Sequence, residues 1–339
     1  MQNLKNIVNK FRDKKILVVG DLIADVYLDG RISRISREAP VLILEEAGKK
    51  IVAGGAANVI ANAATLGGKV YAVGVVGDDD YAESLKKILS DFKVNVDGMI
   101  NDKSRPTISK TRIIAGGRAT VSQQIVRIDR ESKLPLSKNI ETKLLGYLEK
   151  ILPNVDGIIL SDYGAGTVTD SIKNLLISHA NKFKIPSMVD SRYRINEFSG
   201  IGYAKQSDSE LAAFMKIEIN DVETLINAAT KLLAELNSNG LLITRGEFGM
   251  SLFERGGTVH HIPVSDKSEV YDVSGAGDTC VAAFMLAMTA KAEPVNSARI
   301  SNYAAGVAVR KLGTATVSAG ELLKAINNFA NEIGEKNAD

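Results

Sequence analysis

The segment 272–279, DVSGAGDT, combines a run of small residues with a carboxylate at the expected start of a helix. Residues 278–290 are apolar on every side, which is typical of a buried helix. Because 274–277 carry no bulky side chains, backbone N–H groups can converge there and bind an anion with help from the helix dipole. Asp278 then suits a base that takes the proton of a hydroxyl attacking a phosphoryl group. The alternative is a glycine-rich helix start in which Asp278 only stabilises the dipole.

Two further segments offer groups that could bind a polyhydroxylated ligand. The paired glycines Gly54 and Gly55 would let a ligand approach the backbone, and Asn58 offers both a donor and an acceptor to hydroxyls. Asp21 and Asp25 follow the first apolar run, where carboxylates at the carboxyl end of a strand can accept hydrogen bonds from a ligand. The alternatives are a tight strand-to-helix turn for the glycine pair and a turn cap for Asp21.

Several other chemistries are excluded or disfavoured by the sequence. There is no GxxxxGK[ST] segment, and the GAGDTC run lacks the third glycine of a dinucleotide site and lies late in the chain. The single cysteine, Cys280, is expected in the interior and excludes a disulfide framework and a cysteine-rich zinc site. Three histidines are too few for most histidine-based metal sites. A net charge of +2 disfavours nucleic-acid binding. No apolar run is long enough for a membrane span or a signal peptide, so the cytoplasm is the expected location.

The elements that must position these groups follow an alternating strand and helix pattern. Strands are predicted at 15–20, 70–75, 157–160, 187–190 and 241–244. Helices are predicted at 55–66, 81–89, 140–152, 170–181 and 221–236. Such alternation predicts an α/β fold in which helices cover both faces of a mostly parallel sheet, with ligands beyond the carboxyl ends of the strands.

Two stretches, 27–52 and 105–130, break this pattern and could pair as a small separate sheet. Gly116-Gly117 lies between two runs rich in β-branched residues and predicts a hairpin turn, and Gly256-Gly257 predicts another. Ser318 is expected to cap the last helix, with Glu321 completing a capping box. The expected organisation is one domain over 1–339 with these two insertions.

Residues from about 13 to 330 resemble the ribokinase-type (PfkB) carbohydrate kinases. The segments GDLIAD, AGGAANVIANAATLGGKVYAVGVVGDDDYA, LLITRGEFGMSLF and DVSGAGDT match the motifs of that family in its order. The resemblance implies a ribokinase-like fold, ATP and Mg²⁺ as cofactors, and a β-sheet lid made from the two insertions. It also implies a homodimer through that lid, and it makes a monovalent cation a further candidate cofactor.

The resemblance also implies a role for individual residues. The catalytic set comprises Asp278 as the base and an anion hole made of Gly275, Ala276 and Gly277. The sugar-binding set comprises Asp21, Asp25, Gly54, Gly55, Asn58, Arg112, Arg127 and Asp162. The cofactor-binding set comprises Lys205, Ser207, Glu210, Thr244, Gly246, Gly249 and Asn302. Ser207 stands where the family often has asparagine, and Glu210 would act on Mg²⁺ indirectly.

Three segments resemble the heptose-7-phosphate kinases of lipopolysaccharide-core synthesis: SRISREAPV (33–41), QQIVRID (123–129) and SDYGAG (161–166). Those kinases are often fused to a nucleotidyltransferase, and a chain of 339 residues is expected to be the kinase alone. Ala165 replaces a lysine that is usual there, and DSRYR (190–194) replaces a DPKG-like segment. The role of Tyr163 stays open between a ligand contact and turn packing.

A phosphorylated substrate needs cations near its phosphate. The candidate cations are Arg34, Arg37, Arg112, Arg127, Arg192 and Arg194, and each could instead be a solvated surface arginine. The alternative function is a fructokinase- or ribokinase-like kinase of an unphosphorylated sugar. A non-catalytic sugar-binding protein and an oxidoreductase on a doubly wound sheet are further alternatives, although Asp278 and the glycine pairs of a kinase are all present.

Overall fold

The computed structural model describes residues 2–116, 122–132, 134–265 and 270–336. The strands of the described residues, in chain order, are β1 Lys15–Gly20, β2 Leu22–Ile35, β3 Leu42–Gly55, β4 Lys69–Val76, β5 Asn95–Asn101, β6 Ile108–Gly116, β7 Gln123–Arg130, β8 Gly157–Asp162, β9 Ser187–Ser191, β10 Tyr203–Ser207, β11 Gly240–Thr244, β12 Met250–Glu254 and β13 Val259–Ile262. The helices are α1 Gln2–Asn9, α2 Ala56–Thr65, α3 Asp80–Asp91, α4 Lys138–Ile151, α5 Asp170–Phe183, α6 Asp208–Met215, α7 Val222–Leu236, α8 Ala276–Thr289, α9 Pro294–Ala308 and α10 Ala319–Lys336.

The larger sheet has the order β13-β12-β11-β10-β9-β8-β1-β4-β5 among the described residues. Its strands are parallel from β5 to β11, whereas β12 and β13 pair antiparallel at one edge. The central strand β1 lies between β8 and β4, where the order of the strands along the chain reverses. The predicted α/β class is therefore confirmed, and the reversal places a crevice at the carboxyl ends of β1 and β8.

Two strands of this sheet were not predicted from the sequence. The β5 sequence NVDGMIN and the β10 sequence YAKQS carry polar residues where an apolar run would signal a buried strand. They form because they pair with well-defined neighbours, β4 and β11 respectively. Pairing across the sheet thus overrides the weak local pattern.

Helices cover both faces of the larger sheet with separate apolar clusters. The helix α8 is buried almost throughout, and Cys280, Val281 and Phe284 are fully enclosed. It packs between α2 and α9, so its apolar character on every side is explained. This packing fixes the first turn of α8 at the sheet's carboxyl edge. No helix of the described residues is long and apolar enough to cross a membrane.

The smaller sheet has the order β3-β2-β6-β7 among the described residues and contains most of both irregular stretches. Strand β2 begins directly after β1, and β3 ends at Gly55 directly before α2. The smaller sheet is therefore continuous with the segments that carry Asp25 and the paired glycines. The predicted antiparallel pairing of β6 and β7 is present, but Gly117 of the predicted turn lies outside the described residues.

Two local predictions are confirmed. β12 and β13 form an antiparallel hairpin around Gly256-Gly257. At the start of α10, Glu321 N–H donates to Ser318 Oγ (3.3 Å), and Ser318 N–H donates to Glu321 Oε2 (2.9 Å). These two bonds form the expected capping box.

Candidate active site

Two cavities meet at the carboxyl edge of the larger sheet. The first, of about 510 Å³, lies beside the smaller sheet and is called here the charged cavity; it is lined by Asp25, Lys110, Arg112, Arg127, Arg192 and Asp278, among others. The second, of about 390 Å³, is called the apolar cavity; it is lined by Thr244, Met250, Val264, Val273, Asn302 and Ala305, among others. Both cavities touch Lys205 and Gly277. A ligand in one can therefore meet a ligand in the other at the start of α8.

The start of α8 is shaped by a glycine in the left-handed region. Gly275 has φ 79°, and a Cβ on it would lie 2.5 Å from Asn58 Nδ2, so only glycine fits this position without displacement. The first intrahelical bond runs from Thr279 N–H to the Gly275 carbonyl (3.0 Å). The backbone N–H groups of Gly277 and Asp278 come before Thr279 in the chain, and no carbonyl of an earlier helical turn is there to accept from them. They make the helix start suitable for an anion, as the sequence predicts.

Asp278 is 5% exposed, and each of its carboxylate oxygens accepts a hydrogen bond. Asn58 Nδ2 donates to Oδ2 (2.8 Å), and the Tyr163 hydroxyl donates to Oδ1 (2.8 Å). Burial raises the pKa of Asp278 to about 7, and the nearby Asp190 acts in the same direction against both hydrogen bonds and Lys205. A carboxylate with a pKa near neutral matches a general base.

Asp25 lies on β2 at the wall of the charged cavity, where it is 3% exposed. Its Oδ1 accepts a hydrogen bond from Arg112 Nη1 on the neighbouring strand β6. A Cβ on Gly54 would lie 2.3 Å from Asp25 Oδ2, so the first glycine of the pair makes room for this carboxylate. The second glycine, Gly55, has φ 53° and lines the charged cavity.

Asp21 occupies a different place from the one expected for a sugar ligand. It is 0% exposed and does not line the charged cavity. Its Oδ2 accepts from the backbone N–H groups of Tyr163 (2.9 Å) and Ala165 (3.0 Å), and its Oδ1 accepts from that of Thr167 (3.1 Å). Burial raises the pKa of Asp21, while these bonds act against the rise. Asp21 thus holds the loop after β8 beneath the cavity. Asn58 likewise contacts Asp278 and does not line this cavity.

Apart from Lys205 at the junction, four cations of the described residues line the charged cavity. Lys110 and Arg112 stand two residues apart on β6, and Arg127 pairs with Arg112 from β7. Arg192 follows β9 on the larger sheet. Sequence analysis missed Lys110, although its spacing from Arg112 places both side chains on one face of a strand and could have revealed it.

Three arginines proposed from the sequence do not line this cavity. Arg194 Nη2 lies 3.2 Å from Asp162 Oδ1, and its Nη1 lies 3.2 Å from Glu197 Oε2, so its charge is already paired. Arg34 and Arg37 are exposed at the distal end of the smaller sheet. Asp162 does line the cavity, with its Oδ2 accepting from the Ser191 hydroxyl (2.7 Å).

The junction of the cavities holds a buried charge network. Lys205 Nζ lies 3.0 Å from Asp190 Oδ2 and 3.7 Å from Glu210 Oε2. Burial alone would lower the pKa of Lys205, but the two carboxylates outweigh it and raise that pKa. Ser207 caps α6 and forms a capping box with Glu210, which fixes the Glu210 carboxylate. This network holds the Lys205 ammonium beside the start of α8.

The residues assigned to the cofactor side lie together. Thr244, Gly246, Gly249 and Asn302 all line the apolar cavity, with Lys205, Ser207 and Glu210 at its junction with the charged cavity. Asn302 Nδ2 donates to the Pro263 carbonyl (2.8 Å). The described residues contain no cluster of three or more His, Cys, Asp or Glu able to hold a metal by themselves.

Comparison with known sequences gives a match to one family and to curated relatives. Residues 13–319 match the family described as pfkB family carbohydrate kinase. The bifunctional protein HldE of Pelobacter propionicus is 39% identical over 326 residues, covering 96% of this chain and 66% of that protein. HldE of Geobacter metallireducens is 39% identical over 323 residues, covering 95% and 65% respectively. The chain thus spans about two thirds of the length of these relatives.

Comparison with solved structures gives the same fold at low sequence identity. Ribokinase of Arabidopsis thaliana, solved with ribose and ATP, has a TM-score of 0.73 at 22% identity, covering 92% of this chain and 98% of that one. Phosphofructokinase-2 of Escherichia coli, solved with fructose-6-phosphate, has a TM-score of 0.74 at 19% identity, covering 94% and 99%. With the family match extending over most of its length, the chain belongs to the pfkB family of carbohydrate kinases.

Proposed function

We propose that the protein transfers the γ-phosphoryl group of ATP to a hydroxyl of a phosphorylated sugar, with Asp278 as the base. The supporting observation is the position of Asp278, which lies at the start of α8 where the two cavities meet. The sugar lies in the charged cavity and ATP in the apolar cavity. Asp278 takes the proton of the attacking hydroxyl while the new O–P bond forms, and the bond to the β,γ-bridging oxygen breaks to release ADP.

The backbone N–H groups of Gly277 and Asp278, together with Lys205, face the transferred group. They stabilise the negative charge that develops on its oxygens. The apolar walls of the second cavity, which include Met250 and Val264, exclude water from the base of the nucleotide. The protein therefore mainly positions the two substrates and stabilises charge, as phosphoryl transfer requires.

Mg²⁺ would lie at the junction of the cavities, where Glu210 lines both of them and would act on the ion indirectly. Mg²⁺ usually keeps several waters and binds substrate phosphates, so a carboxylate can act on it through a water. The ion would neutralise charge on the phosphates of ATP. Within the chain, the Ser207 capping box holds Glu210 in place for this task.

The four cations of the charged cavity support a substrate that carries a phosphate of its own. Binding a neutral sugar requires less positive charge than these side chains supply, and several such donors bind a phosphate well. They are Lys110, Arg112, Arg127 and Arg192. The relatives named HldE and the resemblance to heptose-7-phosphate kinases make a heptose 7-phosphate the proposed substrate. The sugar hydroxyls would be held by Asp25 and Asp162.

An unphosphorylated sugar is the second candidate substrate, and one observation favours it. Arg112 is paired with Asp25, and Arg127 makes a bidentate contact with Asp129 (2.8 and 2.9 Å). These pairs neutralise two of the four cations. A kinase of fructose or ribose would then use Asp25 and Asp162 for the hydroxyls alone.

The smaller sheet is proposed to act as a lid and as the surface of a homodimer. It carries Arg112 and Arg127 over the charged cavity, so its closure would bring cations to the substrate and exclude water. It exposes Ile35 at 66% and Ile128 at 55%, and a second copy could cover these side chains. Residues 1–339 would then act as a single kinase domain, located in the cytoplasm.

An assay of ADP release over a panel of sugars tests this proposal. The panel contains heptose 7-phosphate, fructose, ribose and fructose phosphates, each with ATP and Mg²⁺. The highest kcat/KM is expected with heptose 7-phosphate. A higher value with free fructose or ribose would replace the phosphosugar proposal with the second candidate. Turnover of none of them would overturn the substrate assignment.

A further inference from the structure

Tyr163 makes a contact that neither the phosphoryl transfer above nor the cofactor site uses. Its side chain reaches from the loop after β8 to the start of α8, where the hydroxyl donates to Asp278 Oδ1 at 2.8 Å. The ring is partly buried, and Lys110 Nζ lies 5.8 Å from its centroid. The two residues are 115 positions apart in the chain, so the contact exists only in the folded protein.

The loop that carries Tyr163 is fixed more firmly than a surface turn requires. Three of its backbone N–H groups, those of Tyr163, Ala165 and Thr167, donate to the enclosed carboxylate of Asp21. Gly164 has φ 80°, and a Cβ on it would lie 2.9 Å from the ring of Tyr193. This anchoring fixes the backbone from which the Tyr163 side chain reaches Asp278.

We propose that Tyr163 is a positioning residue for Asp278, and that its hydroxyl holds the carboxylate oriented and ionised for the attacking sugar hydroxyl, while Asp21 acts through it by fixing the loop. This inference rests on the proposed role of Asp278 as the base. Each carboxylate oxygen can accept more than one hydrogen bond, so the bonds from Tyr163 and Asn58 leave room for the sugar hydroxyl. Tyr163 keeps its own proton throughout, because burial and the adjacent Asp278 raise its pKa well above the usual range.

The hydrogen bond from Tyr163 determines in which direction the pKa of Asp278 should change when the hydroxyl is removed. A hydroxyl that donates to a carboxylate stabilises the ionised form, and this bond lowers the pKa of Asp278 against the larger effect of burial. Removing the hydroxyl should therefore raise that pKa, so that a more alkaline solution is needed to ionise the base. A tyrosine that only packs the turn would have no such effect, since phenylalanine fills the same space.

The test compares Tyr163→Phe with Tyr193→Phe, which removes a hydroxyl from an exposed tyrosine beside the same loop. ADP release is measured from pH 5.5 to 9 with saturating ATP and heptose 7-phosphate, or the most active sugar of the panel. We expect Tyr163→Phe to lower kcat at pH 7 about tenfold to a hundredfold and to move the acid limb up by about one pH unit. Both KM values should stay within about threefold, and Tyr193→Phe should match the wild type.

Two outcomes would overturn the inference. In the first, Tyr163→Phe has the kcat profile of the wild type while Asp278→Asn is inactive. Asp278 would then still be the base, but Tyr163 would have no role in positioning it. The other is a rise in KM with kcat unchanged, which would make Tyr163 a substrate contact. If Asp278→Asn keeps normal turnover, the proposed function fails instead.

The role of Asp21 is tested in the same assay with Asp21→Asn, which keeps the shape but loses part of the acceptor capacity toward the loop. We expect it to shift the acid limb of the kcat profile in the same direction as Tyr163→Phe does. In the double variant, kcat should be lower than in Tyr163→Phe by less than about twofold. If the decrease in kcat of the double variant equals the product of the two single decreases, Asp21 does not act through Tyr163. Thermal unfolding of each variant separates these effects from loss of the fold.

Discussion

The charged cavity and the apolar cavity share the residues at their junction, which include Lys205, Glu210 and Gly277, but differ in the rest of their walls. The charged cavity is bounded by two sheets and carries side chains of both signs, such as Asp25 and Arg192. The apolar cavity is bounded by the larger sheet and α9, with small and aliphatic side chains such as Val264 and Ala305. The first can select a polar substrate by directed contacts, while the second offers a surface for a flat base. The difference predicts that substitutions affect the two substrates separately, except at the junction.

The largest effect is expected at the junction itself, with Asp278→Asn. This variant keeps the shape and the hydrogen bond from Tyr163 but cannot take a proton. We expect kcat to fall by about a hundredfold to ten-thousandfold, because the base and the bond from Asn58 are lost, with ATP affinity within about threefold. ADP release measures the first quantity and equilibrium dialysis the second. Near-normal kcat would contradict the assignment of Asp278.

The cations of the charged cavity are expected to give the next largest effect. Replacing both Lys110 and Arg192 with alanine should raise KM for a phosphosugar about tenfold to a hundredfold and leave KM for ATP unchanged, because charge-assisted contacts to phosphate are lost. Lys87→Ala, on the exposed face of α3, is the control. An unchanged KM for the sugar would favour an unphosphorylated substrate.

The dependence of kcat on pH follows from the raised pKa of Asp278, which is about 7. A raised pKa means that the carboxyl is protonated below about pH 7, so kcat should fall about tenfold for each further unit of acidity. The rate should be highest and flat above that value. A kcat that stays constant down to pH 5.5 would show that another group takes the proton.

The smallest effect is expected in the apolar cavity. Ala305→Leu adds volume to its wall and should raise KM for ATP about threefold to tenfold by crowding the base, with KM for the sugar unchanged. Ala234→Leu on the exposed side of α7 serves as the matched control. A change in the sugar KM alone would reverse the assignment of the two cavities.

Much of the fold could be predicted from the sequence because its signals are local. The apolar run of β1 and the all-apolar α8 each carry enough information to be recognised alone. The glycines near Asp278 likewise indicate that a ligand can approach the backbone closely. By contrast, β5 and β10 are polar, and their formation depends on pairing with neighbours that are distant in the chain.

In the candidate site, too, some residues can be recognised from local sequence and others only from tertiary contacts. Asp278, Asp25 and Gly275 lie at the carboxyl edge of the larger sheet, whereas Asp21, a candidate ligand group or turn cap, binds the loop after β8, and Arg194, a candidate cation, is paired with Asp162. Both residues are occupied by partners that sequence spacing does not reveal. Lys110 was missed, although its spacing of two residues from Arg112 places both side chains on one face of β6.

The sequence by itself determined that this chain folds as an α/β protein and presents a carboxylate at a glycine-rich helix start, because periodicity and glycine content act over short distances. Only the tertiary structure decided what surrounds that carboxylate. Asn58 lies 220 positions from Asp278 and Tyr163 lies 115 positions away, yet both donate to it. Burial against these partners sets the pKa of Asp278 near 7, and burial is a property of the packed protein alone.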